Sequence, residues 1–250
     1  MSGPLAYTLL PEGQTPRLGL IVLQVDETIE DDFRRLFAPQ AISLQVSRIP
    51  SGAELTPQSI ARMDAALNAS AALLPDTTFD AVGYACTSGT TLIGATRVAE
   101  QVRAGCTARA VTNPLTATRA ALAALNARRV AIVSPYIPSV AQPLCTAFEA
   151  DGITVTEAVS FGERIERNVA RITPESLCDA ARHAVATGTP EALFLSCTNL
   201  KTLDVIAPLE AELGLPVLSS NLTLAWHMAA TARAKLAPDL HYRLCQTRHG

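Results

Sequence analysis

The sequence predicts an α/β fold made of two pseudo-symmetric halves, each built on a parallel sheet. Three observations carry this reading. Short β-rich runs bounded by turn residues alternate with longer Ala/Leu/Arg stretches of helical period, the pattern of repeated βα units. The 250 residues are 48% hydrophobic but only 4% aromatic, so the interior must be Ala, Leu, Val and Ile, which suits helices packed on buried parallel strands. The third observation is that the two halves of the chain read alike.

The clearest strands, in chain order, fall at 18–23, 81–85, 109–112, 130–134, 193–196 and 216–219. RLGLIVL begins at Arg17 and DAVGYAC ends at Cys86, so positions 17 and 86 are 69 apart. RVAIVSP begins at Arg129 and EALFLSC ends at Cys197, and positions 129 and 197 are 68 apart. Past each cysteine a further strand leads into Thr112, Asn113 and Pro114 or into Ser219, Ser220 and Asn221, placing Asn113 27 residues after Cys86 and Asn221 24 after Cys197. Matched spacing of this kind marks an internal duplication. One half is expected at 15–112 and the other at 113–219. The segment 220–250, which contains LTLAWHMAATARAKL, is expected to return as a helix onto the first half.

Bulk properties exclude several functions. A net charge of -3, a pI near 5.8 and arginines scattered singly or in pairs provide no field for nucleic acid. The first twenty residues lack a basic start, an apolar h-region and a small-residue cleavage site. No apolar stretch approaches the ~20 residues of a membrane span, so a cytoplasmic protein with no membrane partner is expected. Six cysteines with no CxxC and no histidines in a ligand pattern point to neither a disulfide framework nor a zinc site. There is no GxGxxG and no Walker motif to hold a nucleotide. His183, His227, His241 and His249 lie away from strand ends and are expected to be packing or surface residues.

In open parallel sheets, ligands bind outside the carboxyl ends of the strands. Cys86 and Cys197 fall there, whereas Cys106, Cys145, Cys178 and Cys245 lie on helical or terminal stretches and are assigned no role. A lone cysteine is most often a small buried hydrophobe. Recurrence of the same strand-Cys-Thr element at matched spacing argues instead for a pair of working thiols. YACTSGTTLIG runs from a strand through small hydroxyl residues into an apolar helix, and LFLSCTNLKTLDVI places Thr198 and Asn199 at the expected start of another. A helix N-terminus favours an anion and lowers a thiol pKa, so lowered values are expected at both. Two thiols flanking a small substrate permit double-sided proton transfer, or attack followed by protonation, without a metal. Backbone amides and hydroxyls of Thr87, Ser88, Thr198 and Asn199 are expected to hold the developing oxyanion. The acidic run Asp26, Glu27, Glu30, Asp31 and Asp32 fits no EF-hand and reads mainly as a solvated helix N-terminus, Asp26 excepted.

Taken together, IVLQVDETIEDDFRR, YACTSGTTLIG, RRVAIVSPY, LSCTNLKTLDVI and LPVLSSN resemble the Asp/Glu racemase superfamily. Within it they are most similar to the maleate cis-trans isomerase and ectoine-utilisation racemase-like branch, over about residues 17–226. The resemblance implies flavodoxin-like halves with the active site in the cleft between them, no cofactor, a small carboxylate substrate and a homo-oligomer. Cys86 resembles the thiol that adds to a substrate double bond or takes a proton, Cys197 its acid/base counterpart, and Tyr136 a tyrosine that hydrogen-bonds the substrate.

Two positions depart from the isomerase pattern. Where those enzymes carry a carboxylate-binding asparagine after the first strand, this chain has Asp26 followed by Glu27. An anion there repels a carboxylate and welcomes an ammonium or amide N–H. Within FGERIERNVARITPESL, the second substrate asparagine of the isomerases corresponds to Glu166 or to Asn168, depending on register. TLDVIAPLEAELGLPVLSSN resembles the arylmalonate decarboxylases, but these keep only the second-half cysteine, so Cys86 argues against decarboxylation. Three functions stay open: an isomerase of a small carboxylate working through Cys86 and Cys197, a racemase of an amino acid or N-acyl diamino acid, and a non-catalytic carboxylate-binding protein.

Overall fold

A computed structural model describes residues 3–247 apart from 10, 12, 14 and 55. His249 and the end of the expected 220–250 segment lie outside the described residues. The first sheet is formed by β1 (Arg17–Leu23), β2 (Ser43–Ile49), β3 (Phe79–Ala85) and β4 (Ala108–Thr112), interleaved with α1 (Ile29–Leu36), α2 (Pro57–Ala71), α3 (Thr87–Ile93) and α4 (Ala95–Gly105). After α5 (Pro114–Ala124) comes the second sheet: β5 (Arg129–Tyr136), β6 (Thr154–Glu163), β7 (Ala192–Leu195) and β8 (Val217–Ser219). Its helices are α6 (Pro138–Ala150), α7 (Glu166–Val169), α8 (Pro174–Val185) and α9 (Leu203–Leu213), and α10 (Ser220–Ala232) follows the last strand.

Both sheets are wholly parallel and share one topology, β2-β1-β3-β4 and β6-β5-β7-β8. Because the chain winds outward in both directions from the central pair, each half has a switch point between its two inner strands, where adjacent loops part and leave a crevice. The loops that part are those after β1 and β3 in one half and after β5 and β7 in the other. Asp26 and Cys86 leave the first pair, and Tyr136 and Cys197 the second.

The inner strands are the apolar ones: β1, β3, β5 and β7 are buried almost throughout, as both faces are covered by helices. On α1, Ile29, Phe33 and Leu36 recur at helical spacing and are fully buried, each contributing roughly 1.5–3 kcal/mol of burial. The two strands that the sequence reading did not single out, β2 and β6, are edge strands in which polar residues interleave. The strand expected at 130–134 runs on to Tyr136. Pro135 cannot donate to the ladder, and the register with β6 shifts between Ser134 and Tyr136, a bulge that sets the direction of Tyr136.

The two ends of the duplication are capped alike. Asn113 accepts a hydrogen bond from Thr116 N–H at 2.8 Å to start α5, and Ser219 accepts one from Leu222 N–H at 3.2 Å to start α10. The structural counterpart of Asn113 is therefore Ser219, and Asn221 lies within the first turn of α10. α10 packs across β1, β3 and β4 of the first sheet. Gly83 makes this approach possible, since a Cβ there would lie 2.7 Å from Met228 Sδ. No helix among the described residues is long and apolar enough to cross a membrane.

Candidate active site

Asp26 Oδ1 accepts hydrogen bonds from Thr28 N–H at 2.8 Å and Ile29 N–H at 2.9 Å, capping α1 in place of Thr28, whose side chain makes no cap. Glu30, Asp31 and Asp32 then fill the first turn of that helix. Asp26 itself is only 2% exposed, and its Oδ2 is buried without a hydrogen-bond partner. Arg48 braces the loop through the carbonyls of Leu23, Gln24 and Asp26 and pairs with Glu30.

Cys86, 3% exposed, ends β3 and is the N-cap of α3; its Sγ accepts from Gly89 N–H at 3.1 Å. Gly89 is required by close approach, because a Cβ there would meet Cys86 Sγ at 2.8 Å and Tyr84 Oη at 2.7 Å. The same contacts place the Tyr84 hydroxyl beside the thiol.

Cys197, 4% exposed, is held differently. Its Sγ lies 3.0 Å from Tyr136 Oη and accepts from Asn199 N–H at 3.3 Å. The expected helix start at Thr198 and Asn199 is corrected: these residues form a turn, and α9 begins only at Leu203. The reason lies in Asn199, whose side chain makes contacts that a helical first turn would not allow it. Its Oδ1 accepts from Glu27 N–H at 2.9 Å, its Nδ2 donates to Glu166 O at 3.0 Å, and its carbonyl accepts from Thr28 Oγ1 at 3.0 Å. Asn199 thus clamps the loop after β1 to the second half. The two thiol loops also meet directly, for Thr198 Oγ1 donates to Ala85 O at 3.3 Å. Of the four residues expected as oxyanion donors, Thr87 shares its hydroxyl with Ser220 at 2.8 Å, Thr198 and Asn199 are committed as described, and Ser88 keeps its hydroxyl uncommitted.

The register of the α7 segment is decided by burial. Glu166 is 1% exposed, with both carboxylate oxygens buried and without hydrogen-bond partners. Its N–H donates to Ala53 O at 3.0 Å, fastening it to the first half. Asn168 turns away and donates to Glu163 Oε2 at 3.2 Å.

Burial governs the electrostatics. It pushes the Cys86 thiol up to about 12, and the negative charge of Glu166 and Asp26 adds to the Gly89-tempered shift. Cys197 is raised well above the ordinary thiol value, again by burial first and Glu166 second. The expectation of lowered thiol pKa values is therefore overturned. One short helix N-terminus at Cys86 is outweighed by desolvation, and Cys197 has no helix N-terminus at all. Burial likewise holds Glu166 up to about 7 and raises Asp26. Before substrate arrives, both sulfurs carry their protons.

Three further groups adjoin the thiol loops: Tyr84 and Asp32, which were not read as site residues from the sequence, and Asn221, which was read as lying at a strand end. Tyr84 precedes Cys86 by two positions and brings its hydroxyl toward that thiol while donating to Met63 Sδ at 3.9 Å, whereas Tyr136 reaches Cys197 from β5. The signal for Tyr84 was present, since residues two apart on a strand share a face. Asn221 Nδ2 donates to both Thr198 O and Asp32 Oδ2 at 2.8 Å, supporting the second thiol loop from beneath. Asp32 is held up to about 7 by burial. Among the described residues no group of three or more His, Cys, Asp or Glu is placed to hold a metal.

Comparison with known proteins agrees with this geometry. The chain is 27% identical over 214 residues to a maleate isomerase of Nocardia farcinica, covering 82% of this chain and 85% of that one. It is 34% identical over 112 residues to an arylmalonate decarboxylase of Bordetella bronchiseptica, 44% and 47% of the two chains. A cysteine-to-serine mutant of the Nocardia farcinica maleate cis-trans isomerase, with a covalently bound succinylcysteine intermediate, superposes with a TM-score of 0.80 at 25% identity over 88% of this chain and 93% of that one. A liganded double mutant of arylmalonate decarboxylase matches with a TM-score of 0.80 at 26% identity, covering 92% and 98%.

Fold and relatives together mark an α/β enzyme of the isomerase class. The arylmalonate decarboxylase family model matches residues 51–245, and the chain belongs to that family, in the maleate isomerase branch of the Asp/Glu racemase superfamily.

Proposed function

We propose that the protein is a cofactor-independent isomerase of a small carboxylate, working in the cytoplasm as a homo-oligomer, with Cys86 as nucleophile or base and Cys197 as acid or base. The observation that carries this reading is the pair of buried thiols at equivalent strand ends, each beside a tyrosine hydroxyl and joined through Thr198 and Ala85. For a cis-trans conversion, Cys86 Sγ adds to one carbon of the double bond while Cys197 protonates the other. The Cys86 proton passes to a buried carboxylate, Glu166 or Asp26. After rotation about the new single bond, Cys197 takes back its proton, the C–S bond breaks, and the carboxyl returns a proton to Cys86. Ser88 and the N–H groups at the start of α3 are the groups best placed to receive the developing oxyanion.

Cys86→Ala and Cys197→Ala variants test the reading: each should lose turnover of maleate or a related carboxylate while keeping the wild-type thermal unfolding midpoint. Retained turnover in either removes the two-thiol mechanism, and a chelator should change nothing.

A second reading, racemisation, is favoured by the two buried carboxyls, which suit a nitrogen-bearing substrate better than a dicarboxylate. Solvent deuterium entering the α-carbon of an amino acid supports it. Conversion of maleate to fumarate without exchange counts against it.

A further inference from the structure

We propose that Glu166, with Asp26, is the specificity element of this cleft, and that the two accept hydrogen bonds from a nitrogen-borne N–H group of the substrate, an ammonium or an amide. This rests on the two-thiol reading of the site and names the class of substrate that the site takes.

Three buried carboxylate oxygens, Glu166 Oε1 and Oε2 and Asp26 Oδ2, have no hydrogen-bond partner. A buried acceptor without a donor is strongly unfavourable, more so when charged, and such a group persists where a ligand completes it. Neither carboxyl is free to turn toward solvent. Asp26 is pinned by Thr28 and Ile29 through its other oxygen, and Glu166 by Ala53 and Asn199 through its own backbone. They come from opposite halves, the loop after β1 and the strap after β6, so a donor between them bridges the cleft.

The protein's own donors near these oxygens are engaged elsewhere: Tyr136 Oη lies 3.0 Å from Cys197 Sγ, Asn199 Nδ2 donates to Glu166 O at 3.0 Å and Thr198 Oγ1 to Ala85 O at 3.3 Å. Their pull on the two carboxyls only tempers the rise caused by burial. The guanidinium nearest Asp26, that of Arg48, is engaged by three backbone carbonyls and by Glu30. An unsaturated dicarboxylate would add two anions to a site that already holds two acids and beside which Arg48 is so engaged. An ammonium or amide N–H supplies what is missing. It also offsets the negative charge of Glu166 and Asp26, which opposes ionisation of both thiols, so binding and activation of the sulfurs are coupled.

The test is equilibrium binding by titration calorimetry at pH 8, on wild type, Glu166→Gln and Asp26→Asn. The probes are D- and L-aspartate and their Nα-acetyl derivatives against succinate and maleate, and D- and L-2,4-diaminobutyrate and their N-acetyl derivatives against butyrate. At least one nitrogen-bearing probe should bind wild type tenfold or more tightly than its nitrogen-free partner. Glu166→Gln should cut that ratio at least tenfold while tightening succinate or maleate, and Asp26→Asn should move it in the same direction. Absence of preference across all nitrogen-bearing probes overturns the assignment, as does a preference that survives both substitutions. Thiol-dependent turnover of maleate with no nitrogen preference would defeat this inference alone. A nitrogen preference that Glu166→Gln abolishes, in a protein whose Cys86→Ala variant still turns over, would defeat the two-thiol reading instead.

Discussion

The loop that carries Cys86 and the loop that carries Cys197 occupy equivalent places in two copies of one fold, yet they hold their sulfurs by different means. Cys86 caps a helix directly, and the turn around it is so tight that only glycine fits at Gly89. Cys197 enters an open turn that leaves five residues before the next helix, and its sulfur is held by Tyr136 from a neighbouring strand. The duplication has kept the position of each thiol and has let the support diverge, for the tyrosine near Cys86 comes from its own strand, β3, and the one beside Cys197 from β5. What the two share is a third party: Glu166 and Asp26 act on both sulfurs with the same sign.

The most direct way to break this comparison is to remove each sulfur in turn. Cys86→Ala and Cys197→Ala should each lower kcat by about 10²–10⁴, the range of a positioned acid, base or nucleophile. A large loss at one and none at the other would mean that only one loop has kept its chemistry.

The shared carboxyls make the next prediction. Glu166 and Asp32 ordinarily ionise at 4.5 and 3.8, and in the fold both are held up to about 7. The folded protein therefore holds extra protons between those values, and the stability this contributes at low pH is lost as pH rises to about 7. Unfolding by urea should give a stability lower at pH 8 than at pH 5 by a few kcal/mol, on the order of the pKa shifts converted at about 1.4 kcal/mol per unit. Glu166→Gln should flatten part of this slope and speed alkylation of both thiols, which in wild type should be slow at pH 7. A slope of opposite sign would show that other groups dominate.

Smaller effects should separate the two loops. Gly89→Ala drives a methyl into Cys86 Sγ and Tyr84 Oη and should cost about 1–3 kcal/mol of stability, with alkylation of Cys197 unchanged. Tyr136→Phe removes the hydroxyl beside Cys197 and should slow turnover about tenfold, since such a hydrogen bond contributes about 0.5–1.5 kcal/mol. Its pH–rate profile should shift while Cys86 alkylation stays as in wild type. An unshifted profile would make Tyr136 a packing residue only.

Much of the fold was legible because its signals are local. Inner strands buried on both faces are continuous apolar runs and stood out, as did the short edge strands β4 and β8 that close each sheet. The edge strands β2 and β6, open on one side, mix polar and apolar residues and did not. Cys86 and Cys197 were found by spacing alone, since a duplicated fold repeats its strand ends at a repeated interval. Tyr84 was within reach of the period-two rule and was passed over because a tyrosine in an apolar strand looks like core.

What the sequence determined by itself is therefore the class of fold and the place of both thiols, because strand and helix periodicity and the duplication interval are properties of neighbours along the chain. The tertiary structure decided which of Glu166 and Asn168 faces inward, that Asn199 is a clamp, and that both sulfurs begin protonated. Those outcomes depend on desolvation and on contacts between halves, such as the bond between Glu27 and Asn199 across 172 positions. No local pattern of residues records how much water a folded neighbour will remove.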